Sequence, residues 1–454
     1  MGGTSLNTED FINARKVGSY QLLVGICGMV TLVSDGFDIQ IISYLIPQIS
    51  KEWGLHAGLQ GTILSAGFAG TMFGYCVLAP LSPKVGLKRA VIGYLICAGI
   101  FNIATVTAHN PPTLIAFRVA TGMALGGLFP SAVALTSEYF PERLRASLVT
   151  IMYIGIPAGF LLAGWTAWLV VARFGWRPAI TIGGMIPLIL SAILGRVQPE
   201  SLVFLVNRAN DGARRAVRLM SKIDPLWVLP PDTQLRSGSA QRPSLSVFEL
   251  FRHQRALGTQ ALWIALCLNS TVYYFILTWL PLILVRIGAS QPKAILASSL
   301  VNFSGIAAGF LTGPMMDFIG RYRIVLLLFG AGAASAVIVG LVLSPELLVI
   351  VPAALCLGFC VSGIQKGVSA LAVRFYPTEL RSPGLGWTLG IGQFGAIVGP
   401  FAAGQLVAHG WTPADLFFVM CAPMIVGGIC ILLMRNRYEF HPTDSTAAGE
   451  RVVL

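Results

Sequence analysis

The stretch SEYFPERLRA, residues 137–146, returns as VRFYPTELRS at residues 373–382, setting Pro141 against Pro377 and Arg145 against Arg381 at an offset of 236. A second correspondence, at an offset of 234, sets SPKVGLKRAVI against MDFIGRYRIVL, with Gly86 facing Gly320 and Arg89 facing Arg323. The same offset pairs Pro47 with Pro281 and Asp35 with Asn269. Self-similarity over half the chain means two copies of one structural unit in tandem.

That unit belongs in a bilayer. Hydrophobic residues make up 55% of the chain and charged residues 11%, with a mean hydropathy of +0.75. Apolar windows of roughly 20 residues, the length that crosses a hydrocarbon core, recur about twelve times, six in each copy. The expected fold is an all-α membrane protein of twelve transmembrane helices in two pseudo-symmetric six-helix bundles. The first bundle covers residues 1–195, a cytoplasmic interdomain loop covers 196–255, and the second bundle with a short tail covers 256–454. Parallel repeats of this kind are a transporter architecture, with substrate expected between the halves near mid-membrane.

The net charge of +12 reports topology rather than nucleic-acid binding. Of the 31 Lys and Arg, five fall in expected external loops (Lys51, Arg173, Arg177, Arg286, Lys293), Arg118 and Lys366 lie within helices, and the rest are cytoplasmic. The asymmetry places both termini in the cytoplasm. The polar start, Met1 to Tyr20, lacks a small-residue cleavage site after a short apolar core, so the first window reads as a span and not a signal peptide. In the loop, RANDGARRAVRLMSKI reads either as an amphipathic helix on anionic lipid or as a solvated linker. The eight cysteines all fall in expected helices and read as packing residues. Neither they nor the five scattered histidines form a metal-ligand pattern, and no nucleophile elbow or phosphate loop marks an enzyme.

Charges inside the spans carry the functional signal. Asp35 and Asp38 lie in the window from Gln21 to Ile49, three residues apart and so on one helical face. A carboxylate at mid-bilayer costs from ~3 kcal/mol upward, which marks such a pair as an ion, proton or substrate pathway. Arg118 cannot be deprotonated, and either pairs with Asp38 or Asp35 or holds a substrate carboxylate.

The chain resembles the major facilitator superfamily over essentially its whole length. The loop signature G-x-x-x-D-x-x-G-R-x-R stands intact as Gly313, Asp317, Gly320, Arg321 and Arg323. In the first half Ala79 and Pro83 replace its Gly and Asp, while Lys84, Gly86, Lys88 and Arg89 remain, which implies a weakened first-half latch. The helix-four signature R-x-x-x-G is present as Arg118 and Gly122. The resemblance implies conformational gating by Asp317, Arg321, Arg323, Glu138, Arg145, Glu379 and Arg381. More narrowly, DGFDIQIISYLIP resembles the D-G-[FY]-D signature of the aromatic acid:proton symporter family, and FYPTELRSPGLGWTLGIG resembles its helix-ten to helix-eleven segment.

This narrower resemblance implies import of a benzoate- or hydroxybenzoate-like acid across a bacterial inner membrane, driven by protons, with no cofactor and no metal. Relatives read G-I-G-R where this chain has Gln393, while helix ten carries Lys366. At ~1.5 Å per residue the two lie at comparable depths, so Lys366 is expected to take over anion binding and Gln393 to add a hydrogen bond. Asn269 and Tyr273 on helix seven are further substrate-binding candidates, and Asp35 or Asp38 is the expected proton site. The alternatives are a proton-coupled exporter and, in another class, a non-transporting membrane sensor, for which the tail from Arg435 is too short to signal. The carrier is expected to work as a monomer.

Overall fold

The computed structural model describes residues 5–208, 212–225, 227, 234–236, 247–252 and 254–438. Among them twelve helices are long and apolar enough to cross a membrane: α1 (Ser19–Trp53), α2 (Ala57–Val85), α3 (Leu87–Thr107), α4 (Pro111–Ser137), α5 (Glu142–Val171), α6 (Trp176–Val197), α7 (Ala256–Arg286), α8 (Gln291–Ile319), α9 (Arg321–Leu341), α10 (Leu348–Phe375), α11 (Gly384–Ala408) and α12 (Pro413–Tyr438). Helices dominate because hydrocarbon offers no partner to a free backbone group, and a helix satisfies its own.

The helix ends follow local chemistry. Asn110 caps α4 by accepting from the Thr113 amide, with Pro111 in the first turn, and Thr412 forms a reciprocal capping box with Asp415 at α12. Gly86 (φ 108°) and Gly320 (φ 106°) each end one helix and begin the next, a conformation that a side chain would strain. The other left-handed glycines also match across the halves, Gly54 with Gly288 and Gly175 with Gly410, at offsets of 234 and 235. The repeat visible in the letters is therefore also a repeat of turns.

The chain forms two compact units, Met1–Gln48 with Ala66–Pro243, and Ile49–Ser65 with Ser244–Leu454. In the first unit a two-stranded parallel ribbon pairs β1 (Ser5–Asn7) with β2 (Gln234–Arg236), joining the start of the chain to the central loop. The amphipathic helix expected in that loop forms at Gly212–Ile223. Its apolar side, Ala216 and Met220, is buried in one cluster with Phe11, Ile12, Leu202 and Leu205. That face is covered by protein and so is not offered to lipid, while Arg214, Arg215 and Arg218 are exposed. Arg15 pairs with Asp224 at 2.8 Å beside it. The segment read as an interdomain loop is divided, because Val247–Phe251 packs with the second unit, where Thr259 donates to the Leu250 carbonyl at 2.8 Å.

In the second unit α7 and α11 touch backbone to backbone, since a Cβ on Gly395 would collide with the Cys267 carbonyl and one on Gly399 with that of Thr271. The unit also holds the Ala57–Ser65 end of α2. There Gly61 lies against Gly404 and the Pro400 carbonyl, and Arg286 donates to Gln60 at 2.6 Å.

Candidate functional site

The DGFD stretch of α1 divides its work by face. Gly36 lies against the Ile156 carbonyl of α5 so closely that a Cβ would collide with it, and Gly159 meets the Val33 carbonyl in the same way. Phe37 is buried under Gly183 of α6. With Gly36 and Phe37 committed to packing, Asp35 and Asp38 project from the other side, 6% and 4% exposed.

Asp38 is fully partnered. Arg118 of α4 donates from Nη1 to Oδ1 at 2.9 Å and from Nη2 to Oδ2 at 2.7 Å, and Asn102 of α3 donates to Oδ1 at 2.7 Å. This is the fork-to-fork geometry that makes an Arg–carboxylate pair strong and directional. Gly67 of α2 makes room for it, because a Cβ there would sit 3.3 Å from Arg118 Nη2. A turn further on, Gly122 brings α4 against the Gly67 carbonyl. Both terminal nitrogens of Arg118 are committed to Asp38, the ion-pair partner that the sequence allows for this arginine. Asp35 has no hydrogen bond or ion pair among the described residues, and Asp38, of like charge, acts on it from three residues along the helix. The pair thus holds one balanced and one unbalanced carboxylate.

The second unit brings together α7, α8 and α10. Asn269, fully buried, donates to the Val361 carbonyl at 3.1 Å and to Gln365 Oε1 at 2.9 Å, and Ser270 also approaches Gln365 Oε1 at 3.5 Å. One turn outward Tyr273 lines a small pocket with Leu277, Asn302, Val361 and Ser362. Lys366 is exposed, its Cε beside Gly309 of α8, and makes no hydrogen bond or ion pair among the described residues. Gln393, partly buried on α11, likewise has no partner there. It lies three turns from Gly404, on the face of α11 that meets Gly61.

Of the expected gating residues, Asp317 pairs with Arg374 at 3.2 Å, while Arg321, Arg323 and Arg381 are exposed and unpaired among the described residues, and the Glu379 side chain lies outside them. Arg374 was absent from the expected set. Its repeat counterpart is Glu138, and that of Asp317 is Pro83, so the first half lacks both the anion and the cation. Glu138 instead meets Ser201 Oγ at 2.7 and 2.9 Å. Burial pushes its carboxyl up to about 7, against the opposing pull of the Ser201 hydroxyl and the Val203 and Leu202 amides. Arg145 donates to the Phe140 carbonyl at 3.2 Å and reaches Glu9 at 3.5 Å. Where the first-half loop lacks its aspartate, Glu200 accepts from the Lys88 and Ser201 amides at 2.9 and 3.0 Å and so caps α3.

Sequence reasoning missed Asn102, Arg374, Glu200 and Gln365. The swap of Glu138 for Arg374 at the repeat offset was the one signal within reach, as polar residues in helices carry no motif of their own.

A model of the Major Facilitator Superfamily matches residues 28–364 and 286–453. The chain is 31% identical to the 4-hydroxybenzoate transporter PcaK of Pseudomonas putida, covering 95% of this chain and 96% of that protein. It is 31% identical to a gallate transporter of Pseudomonas putida, covering 94% of each, and 28% identical to a benzoate transport protein of Acinetobacter baylyi, covering 96% and 94%. Its fold is similar to the crystal structure of a D-xylose-proton symporter, with a TM-score of 0.72, 16% identity, and coverage of 94% of this chain and 99% of that one.

Proposed function

Because the chain belongs to the Major Facilitator Superfamily, and is therefore a multi-pass membrane transporter and not an enzyme, we propose that it imports a benzoate- or hydroxybenzoate-like carboxylate together with a proton. Relatives named for 4-hydroxybenzoate, gallate and benzoate support the substrate class. The observation that carries proton coupling is the inequality of the two aspartates: Arg118 balances Asp38, and no residue among those described balances Asp35.

A proton on Asp35 removes the one carboxylate charge in the pair that the protein leaves uncompensated, so the loaded unit can change state without moving a bare buried anion. Lys366 supplies the cation for the substrate anion, and Tyr273 with its pocket supplies apolar wall, the usual composition of a small-molecule site. The energy source is the proton gradient and no cofactor is used. The carrier sits in a bacterial cytoplasmic membrane, with both termini inside, as a monomer. The distribution of Lys and Arg supports that orientation.

The test is uptake of labelled aromatic acids into proteoliposomes with and without an inward proton gradient. Gradient-driven accumulation that vanishes in Asp35→Asn, with exchange retained, is the expected result. Accumulation unchanged in Asp35→Asn overturns the coupling assignment, and unchanged uptake affinity in Lys366→Ala overturns the anion site.

A further inference from the structure

On α10, Gln365 and Lys366 are adjacent but turn to different neighbours. Gln365 lies against Asn269 and Ser270 of α7, and Lys366 lies against Gly309 of α8. One turn outward, Ser362 takes the same α8 side, where a Cβ on Gly305 would come 2.7 Å from its Oγ. The pocket of Tyr273, Asn302 and Ser362, formed by α7, α8 and α10, lies one turn along α10 from the Gln365–Lys366 pair.

Gln365 is set by its neighbours. Two donors converge on its Oε1, Asn269 Nδ2 at 2.9 Å and Ser270 Oγ at 3.5 Å. An amide whose oxygen is taken in this way must present its NH2 elsewhere. That NH2 makes no hydrogen bond among the described residues, and Gln365 is half-buried, so the donor faces reachable space. Asn269 is 0% exposed and its Oδ1 has no partner among the described residues, so it too is held for orientation at some cost.

We propose that Gln365 is a substrate-binding residue, whose NH2 and the Lys366 ammonium together grip the substrate carboxylate, with Asn269 and Ser270 as positioning residues, and that the ring then extends outward so that a ring hydroxyl meets Ser362. The proposal rests on the reading of the chain as an aromatic-acid carrier. Four residues of helix, about 6 Å, separate Lys366 from Ser362, which matches a carboxylate at one end of a benzene ring and a hydroxyl at the other. The Ser362 hydroxyl, 5% exposed and without a partner among the described residues, supplies the polar far end.

The experiment is equilibrium binding of three probes, benzoate, 4-hydroxybenzoate and the uncharged 4-hydroxybenzamide, to purified full-length protein. Gln365→Met keeps side-chain length and leaves Asn269 its bond to the Val361 carbonyl. It is expected to weaken both acids by about tenfold or more, the loss of a hydrogen bond to a charged group, while the amide loses much less. Ser362→Ala is expected to weaken 4-hydroxybenzoate several-fold and leave benzoate unchanged. Equal losses for acids and amide in Gln365→Met mean a structural role and overturn the carboxylate contact, as does wild-type affinity for both acids. Should Gln365→Met fold poorly, Gln365→Asn carries the same test, because it shortens the donor and keeps the amide. Wild-type protein that binds none of the acids overturns the carrier reading itself, a result distinct from any change confined to the variants.

Discussion

Replacing Asp38 by Asn should cost stability as well as transport, and the size of the loss follows from the geometry. Asp38 receives three donors, two from Arg118 at 2.7 and 2.9 Å and one from Asn102 at 2.7 Å. An Asn side chain has one acceptor oxygen: if it keeps the bonds from Arg118 Nη1 and Asn102, its NH2 replaces Oδ2 and turns the Arg118 Nη2 bond into a repulsive donor–donor contact. Arg118 is 3% exposed, and its Nε already lacks a partner among the described residues. Arg118 Nη2 also donates to the Asp38 carbonyl, at a longer 3.4 Å. Removing one partner of a buried pair costs about 3–5 kcal/mol, because the remaining charge stays buried without compensation. The lost hydrogen bond to a charged group is worth about 1.5–3 kcal/mol by itself, and the donor–donor contact left in its place adds to that. Chemical unfolding in detergent, followed by Trp fluorescence, measures it. Asp38→Asn with Arg118→Gln should recover about 2 kcal/mol or more of that loss, since neither charge then remains, and should not recover transport. Asp38→Asn within about 0.5 kcal/mol of the wild type would refute the reasoning.

Asp35→Asn supplies the contrast: with no partner among the described residues to lose, it should leave stability within about 1 kcal/mol of wild type while abolishing gradient-driven accumulation, as read by the same unfolding and uptake assays. Glu138 has its carboxyl raised from 4.5 to about 7, so the folded state holds its proton more tightly than the unfolded one, and the stability it contributes is complete below pH 4.5 and lost as pH rises through about 7. Glu138→Gln should therefore flatten the fall in melting temperature across that window; an unchanged profile would show that Glu138 does not cause it. Asp317→Asn should change stability by no more than about 1 kcal/mol, because its pair with Arg374 is exposed, so any large loss of transport rate in that variant reports conformational change rather than unfolding. Gly122→Ala places a Cβ against the Gly67 carbonyl and should cost about 1–3 kcal/mol by forcing α2 from α4, with a parallel loss at the neighbouring Arg118–Asp38 pair; a stable variant would mean that the two helices can slide apart freely.

The helix count, the twofold repeat and the two aspartates of α1 were legible in the letters. A bilayer imposes its demands segment by segment, so a run of apolar residues of the right length is already a statement about structure. A carboxylate inside such a run stands out against it for the same reason. The repeat is legible because duplicated units keep their turn residues, as Gly86 and Gly320 do with their shared positive φ. The central loop was only half legible: its helix follows from the spacing of apolar residues, but nothing local says that Ala216 and Met220 are covered by Phe11 and Ile12 from the far end of the first unit.

Sequence alone thus determined that the chain crosses a membrane twelve times in two related halves and that charge is placed inside it. Only the tertiary structure decided which aspartate Arg118 neutralises, that Asp317 takes Arg374, and that Asn269 holds Gln365. Hydropathy and repetition are properties of the chain read along its length. Partnership is a matter of a few ångströms between helices distant in sequence, set for Asp38 and Arg118 by where Gly36 and Gly122 let backbones touch and Gly67 leaves room for the guanidinium.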